Sequence, residues 1–281
     1  MGAVVLENAQ VRAEIAPEQG ARVSSLRDRR SGRDLLYRRH DERWDPDRYL
    51  PTLAGGWDQM FPNDDVWLDW PVHGALWNAT FATVETSSSA VALRCSLEAP
   101  RIEIEHRYEL LTPPRAGVRL TTAVHAVAPV GPFLWATHPM LAVAPGWRIS
   151  VGDAALEADR LDPGRVRPGP VDAAGRAAIL CLPEGRQGWQ EVVYARASGE
   201  ASVESPDARS RTRVRWDERF FRHLWIVTLS GFETVDLALV LEPCTTRPYR
   251  LDEAIAGSQA ATLDAGARRT FWSEVESLDA T

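Results

Sequence analysis

Apolar and polar residues alternate with a period of two along most of this chain, and that pattern buries an apolar side only by building sheets. Val11, Ala13 and Ile15 share one face, as do Val91, Leu93, Cys95 and Leu97. Ile102, Ile104, His106, Tyr108 and Leu110 repeat the pattern, and so do Val118, Leu120, Thr122 and Val124. Turn-forming residues separate these runs at Arg30-Ser31-Gly32, at Ser87-Ser88-Ser89 and from Thr112 to Gly117, so 102–110 and 118–127 read as a hairpin. Helical periodicity is confined to one short turn, Leu251 to Ala256, closed by Gly257. Many short strands over 281 residues predict an all-β fold, a large antiparallel sandwich with very little helix. No linker divides 1–281, which reads as one domain, with 159–175 as a surface excursion.

Composition removes several function classes. All 32 basic residues are arginine, which excludes a Schiff-base lysine or a phosphate-loop lysine. The net charge is −7, with no basic tract interleaved with aromatics, so nucleic acid is not an expected partner. Three cysteines lie far apart, which argues against a disulfide framework or a zinc knuckle. Met1 to Gln19 alternates and carries acids, unlike a signal peptide, and no apolar run is long enough for a membrane helix. The expectation is a cytoplasmic protein with no membrane partner. Neither a serine-nucleophile elbow nor a dinucleotide fingerprint is present.

The strand pattern breaks in three places. From Leu53 to Asp65, continuing through Pro71 to Trp77, glycines, prolines, acids, a histidine and four tryptophans are mixed. That run is too apolar for a free loop and too irregular for a strand. A concave sugar site uses such aromatic faces against C–H groups and a few polar side chains for hydroxyls. The second break is Trp135 to Leu141, where Pro139 biases His138 toward extended backbone. The third is Val235 to Cys244, a nearly continuous apolar strand that carries Glu242 before Pro243. An acid at the end of a buried strand needs a partner or a task. Each residue also has a structural reading: His73 and His138 as packing histidines, Glu242 as a turn cap, Asp58 as a turn organiser. His106 and His125 sit within regular alternation and read as structural, while His40 and His223 lie among charges and read as solvated. No close His-x-His pair with a following glutamate supports a cupin-like metal site, and no metal is expected.

At these three places the sequence resembles the aldose 1-epimerase (galactose mutarotase-like) family. The matching stretches are Gly55 to Asn63 with Pro71 to Trp77, then Thr137-His138-Pro139, then Leu241 to Thr245. Gln19 to Leu26, Ser31 to Tyr37, and Leu263 to Gly266 with Phe271-Trp272 look like its opening and closing strands, so the resemblance spans nearly the whole chain. It implies a β-supersandwich with a sugar site on its concave face and no cofactor. By position, His138 matches the acid on the ring oxygen, Glu242 the base on the anomeric hydroxyl, and His73 the assisting histidine. Asp58 matches a hydroxyl contact, Trp57 and Trp77 walls of the site, and Asn63 a further substrate-binding position. Trp57-Asp58 stands where galactose-specific members carry an arginine motif, and Gly74-Ala75 where they carry two glycines.

The resemblance implies a small-molecule carbohydrate as partner and leaves a homodimer open. Interconverting anomers needs one proton delivered to the ring oxygen while another leaves the anomeric hydroxyl, which a charged His138 and an ionised Glu242 could do without metal. Two alternatives stand beside it. One is another acid/base reaction at the same site, by a lyase, cyclase or glycosidic-bond enzyme. The other is a non-catalytic carbohydrate-binding module.

Overall fold

The computed structural model describes residues 2–38, 49, 55–152, 156–158, 167–168, 181–182, 184, 188–196, 198–232 and 235–279. His40, Trp44 and, apart from 167–168, the stretch 159–175 lie outside the described residues. Two large sheets dominate, and the all-β expectation holds.

The first sheet runs in the order β1 (Val4–Glu7), β2 (Val11–Ala16), β3 (Arg22–Asp28), β4 (Trp57–Met60), β10 (Ala136–Leu141), β18 (Val235–Cys244), β17 (His223–Phe232), β14 (Trp189–Arg196) and β12 (Leu156–Ala158). These neighbours pair antiparallel, and β13 (Arg167–Pro168) adds a short parallel pairing to β14. The second sheet runs β11 (Arg148–Ser150), β15 (Glu200–Glu204), β16 (Arg211–Trp216), β20 (Arg268–Ser277), β8 (Ala116–Ala126), β7 (Arg101–Leu110), β6 (Ala90–Glu98) and β5 (Ala82–Thr86). A small pair joins β9 (Val130–Phe133) to β19 (Ala261–Leu263).

Alternation decides which face meets which. In β2 every second residue is buried, and Val11, Ala13 and Ile15 are wholly inaccessible. Ile102, Ile104 and Tyr108 of β7 pack with Val118, Leu120 and Val124 of β8 and with Leu239 and Leu241 of β18 in one inter-sheet core. The predicted hairpin is β7–β8, and the predicted helical turn is Leu251–Ala256. On the outer face of the second sheet, Glu274 and Glu276 are buried beneath guanidinium groups. Arg115 and Arg119 reach them from β8 and its approach, Arg213 and Arg215 from β16, at 2.6–3.3 Å. Guanidinium forks match carboxylates in two-point geometry, and here they cover two acids that β20 would otherwise present on a bare strand.

The first sheet is buried on both faces at its centre, which explains the unbroken apolar run in β18. Its outer face carries a second apolar layer: Met60, Ala136, Met140, Val192, Trp225, Val227, Val240 and Cys244, covered by Tyr249 and Leu251. The candidate site lies within this layer.

Candidate active site

Strand register assembles the site. β4 and β10 pair so that Asp58 stands opposite His138. β10 and β18 pair with Ala136 opposite Cys244 and Met140 opposite Val240. Each step forward along β10 is a step back along β18, so His138 stands opposite Glu242. β18 and β17 set Glu242 opposite Trp225. Residues facing one another across antiparallel strands point to the same side, with Cβ atoms about 4.5–5.5 Å apart. Asp58, His138, Glu242 and Trp225 therefore form a row across four strands on the outer face of the first sheet.

Burial makes this row electrostatically unusual. Asp58 is 6% exposed, His138 7%, His73 7% and Glu242 2%, so each charge needs compensation nearby. His138 Nδ1 lies 2.9 Å from Asp58 Oδ1, which fixes the ring orientation and leaves Nε2 as the working nitrogen. Burial disfavours the charged imidazole, but the charge and hydrogen bond of Asp58, with Glu242 and Asp64 behind, push its pKa up to about 9. Burial likewise raises the Asp58 carboxyl, and the charge and hydrogen bond of His138 more than reverse it, leaving it below its ordinary value. The two partners agree: this is a charged pair near neutral pH.

Glu242 behaves differently. Burial dominates, His138 opposes it, and Asp64 and Asp58 add like charge, so its pKa lies well above the usual 4.5. Its Oε1 has no hydrogen-bond partner among the described residues. Burial thus disfavours the ionised form of Glu242 even beside the charged ring of His138.

His73 approaches from the loop that follows β4. Its φ is +63°, in the left-handed region that costs a non-glycine residue about 1–3 kcal/mol, and Gly74 follows at +68°. Gly74 cannot be replaced without disturbance, since a Cβ there would sit 2.3 Å from the Phe61 carbonyl oxygen. The His73 ring lies 5.1 Å from the His138 ring, and its Nε2 is 3.2 Å from Asp64 Oδ1. Burial lowers its pKa against the pull of Asp64, so the ring is neutral. With Nε2–H donating to Asp64, Nδ1 is an acceptor, and it has no partner among the described residues. Two buried polar atoms, Glu242 Oε1 and His73 Nδ1, thus lack partners in one small region. Each such atom costs about 1–3 kcal/mol, which marks the region as a ligand site.

The sequence-predicted residues divide. Asp58, His138, Glu242 and His73 come together. Trp57 does not join them: it follows the strand alternation to the opposite face, enters the inter-sheet core at 1% exposure, and donates its Nε1–H to Thr137. Asp58 is held by His138 through its Oδ1. Asn63 braces the loop, its amide donating to the carbonyls of Asp65 and Pro71 at 2.7 and 2.8 Å. Trp77 is buried, with the Tyr49 ring edge-on to it at 5.2 Å.

Three residues were missed. Tyr49 stacks on His73 with ring centroids 3.6 Å apart, and its hydroxyl is 3.5 Å from His138 Nδ1, a longer contact than Asp58 makes. Nothing in its surroundings in the sequence sets it apart. Asp64 lies within the singled-out motif and could have been read as the acid that pairs with His73. Trp225 sits in ordinary alternation, and only the pairing register reveals it as Glu242's neighbour. Among the described residues no group of three or more His, Cys, Asp or Glu side chains is arranged to hold a metal ion, and no helix is long and apolar enough to cross a membrane.

No protein-family model matches the chain, and no curated protein matches it either. Solved structures do. A galactose mutarotase-like protein from Lactobacillus casei superposes with a TM-score of 0.71 at 19% identity, covering 98% of this chain and 100% of that one. A galactose mutarotase related enzyme from Lactobacillus acidophilus gives 0.69 at 12% identity over 99% and 98% of the two chains. A galactose mutarotase-like protein from Clostridium acetobutylicum gives 0.67 at 15% identity over 99% and 95%. At such identities the likeness establishes the fold: this chain has the galactose mutarotase-like architecture.

Proposed function

We propose that the protein is an aldose 1-epimerase-like isomerase that interconverts the anomers of a free sugar or sugar derivative. The observation that carries this reading is the row Asp58–His138–Glu242, one charged acid and one orphaned carboxyl side by side in an apolar layer. The ring oxygen and the anomeric hydroxyl are both bonded to C1, so two adjacent groups on one face can serve them together. Opposite sides of the sugar are not required.

The chemistry balances without a cofactor. His138 Nε2–H donates its proton to the ring oxygen as the bond from that oxygen to C1 breaks. Glu242, as carboxylate, takes the proton of the anomeric hydroxyl, and the freed electrons form the aldehyde. Rotation about the adjacent C–C bond and reversal of both transfers give the other anomer. Asp58 keeps Nδ1 protonated, so the same nitrogen donates and accepts in each cycle. Each positioned proton transfer contributes typically about 10²–10⁴-fold.

The resting protonation states set a pH profile. Glu242 must lose its proton and His138 must keep one. Activity therefore rises with pH through the elevated pKa of Glu242 and falls as His138 deprotonates near 9. The test is exchange NMR on a panel of aldoses. Saturation transfer between anomers in excess of the spontaneous rate, abolished in His138→Ala, supports the reading. No acceleration with any aldose would instead favour a different acid/base reaction at the same pair.

A further inference from the structure

Glu242 stands between a charged imidazole and an indole, and its two sides act on it in opposite directions. On β10 its neighbour is His138, whose charge favours the ionised carboxylate. On β17 its neighbour in the register is Trp225. Two residues to either side along β18 stand Val240 and Cys244. Diagonally across lie Ala136 and Met140 of β10 and Val227 of β17, all members of the outer apolar layer. Trp225 is the largest of these side chains and is 2% exposed. Facing residues of antiparallel strands have Cβ atoms about 4.5–5.5 Å apart, which puts the indole within reach of the carboxyl.

An indole has a single polar hydrogen, on Nε1, and here it is committed: Trp225 Nε1 donates to the Thr246 carbonyl at 2.8 Å. The ring therefore offers a carboxylate no hydrogen bond and presents only apolar surface. The same bond locks it in place. Tyr194, opposite Trp225 on β14, meets it edge-on at 5.9 Å, and the Tyr194 hydroxyl accepts the Tyr249 N–H at 3.2 Å. Thr245, next to the acceptor carbonyl, is tied to Trp135 in both directions, at 3.0 and 2.9 Å. The segment leaving β18 is thus anchored on both sides, and it brings Tyr249 into the outer layer. Asp58 gives the contrast. It is buried too, but the charge and hydrogen bond of His138 hold its carboxyl below the ordinary value. Glu242, with Trp225 where a donor could stand, has Oε1 without a partner among the described residues and a pKa raised by burial.

We propose that Trp225 is a positioning residue for Glu242: its locked indole is an apolar wall that keeps donors and water from the carboxyl, and so makes the carboxylate a stronger base toward the anomeric hydroxyl. This deepens the acid/base reading and takes its catalytic meaning from it. A carboxylate denied hydrogen bonds holds its proton more tightly, and a base that does so takes a hydroxyl proton more readily. Other ionisable groups surround Glu242. His138 and Asp58 share its row, and His73 and Asp64 come from the loop after β4. Tyr49 and Cys244 feel its charge, and Tyr194 and Tyr249 lie in the same outer layer. His138 opposes the effect of burial on Glu242, while Asp64 and Asp58 add to it. His223, diagonal to Glu242, brings no charge: burial, then the charges of Arg247, Arg222 and Arg196, lower its ring to about 4. It is half-buried and neutral, not the solvated histidine expected from its charged surroundings.

Carboxyl-carbon NMR of the full chain tests this without turnover, with the Glu242 signal assigned by its loss in Glu242→Gln. In the native chain the Glu242 midpoint should lie above the ordinary glutamate value, and an indole resonance should shift with that same midpoint. Trp225→Gln sets amide donors against the carboxyl, and Trp225→Ala admits water. Each should lower the midpoint by about one pH unit or more, about a tenfold rise in the ionised fraction at a pH below it. Trp225→Phe keeps an apolar ring and should stay within about half a pH unit of the native chain. In anomer exchange the low-pH limb should move by the same amount in each variant. Midpoints that move as described, with no exchange of any aldose, would support the wall and count against the acid/base reading alone. Three results would overturn the proposal: no indole signal of the native chain following the Glu242 titration, a midpoint unmoved in a folded glutamine or alanine variant, or a phenylalanine midpoint as low as theirs.

Discussion

Replacing Asp58 by Asn tests the charged pair at the centre of the site. The amide keeps a carbonyl oxygen for the His138 Nδ1–H, so the 2.9 Å contact survives while the charge is lost. In the native site Asp58 supplies the largest of the forces that oppose burial and lift the ring from 6.5 to about 9. That gap corresponds to roughly 3 kcal/mol in favour of the charged imidazole. With the carboxylate gone, burial acts with little opposition and the ring falls to 6.5 or below. At pH 8 a ring of pKa about 9 is about 90% charged, and one at 6.5 about 3%, so kcat/KM falls roughly 30-fold. The loss narrows on moving to pH 6, where the uncompensated ring recovers its proton. The assay is anomer exchange by NMR from pH 5.5 to 10. An alkaline limb that stays near 9 in Asp58→Asn would refute the assignment of Asp58 as the positioning partner that holds His138 charged.

Other substitutions separate chemistry from folding. Glu242→Gln should lower kcat by about 10² or more while the fold stays intact, read by exchange NMR together with circular dichroism. Its stability effect has a definite sign. The folded pKa of Glu242 is raised above 4.5, so its contribution is fully present below 4.5 and is lost as pH rises through the raised value. The glutamine variant therefore gains urea resistance relative to the native chain as pH increases, and a difference independent of pH would contradict the raised pKa of Glu242. Gly74→Ala sets a methyl against the Phe61 carbonyl, and its left-handed φ is unfavourable for alanine. It should cost about 1–3 kcal/mol in chemical denaturation and reduce kcat/KM by displacing His73. On the opposite sheet, Glu274→Ala leaves Arg115, Arg119 and Arg215 facing one another without their shared acid. A loss of about 2 kcal/mol with unchanged exchange kinetics is expected by thermal melts and the same NMR assay.

How much of this was legible in the sequence follows from which forces act locally. Alternation is local, so the faces of β2, β6, β7 and β8 could be assigned residue by residue, and the Leu251–Ala256 turn stood out against it. The same rule, carried through residues 57–60, would have separated Trp57 from Asp58, since neighbours in a strand face opposite sides. The irregular composition around them hid a short strand that is buried on both faces. His73, His138 and Glu242 stand out in the sequence because each breaks its own pattern. Their meeting depends on β4, β10 and β18 lying side by side, a non-local pairing that no window of the sequence contains. Trp225 was invisible for the same reason. The upward shift of the Glu242 pKa could not be read either, because it comes from burial in a layer to which the distant Tyr249 and Leu251 contribute.

The most direct measurement is a crystal structure of the Glu242→Gln variant with an aldose bound. The expected result is a sugar lying over the Asp58–His138–Gln row, its ring oxygen within hydrogen-bond distance of His138 Nε2 and its anomeric hydroxyl against the glutamine amide. A sugar bound elsewhere, with position 242 still covered and His138 Nε2 contacting only protein, would contradict the role given to that row.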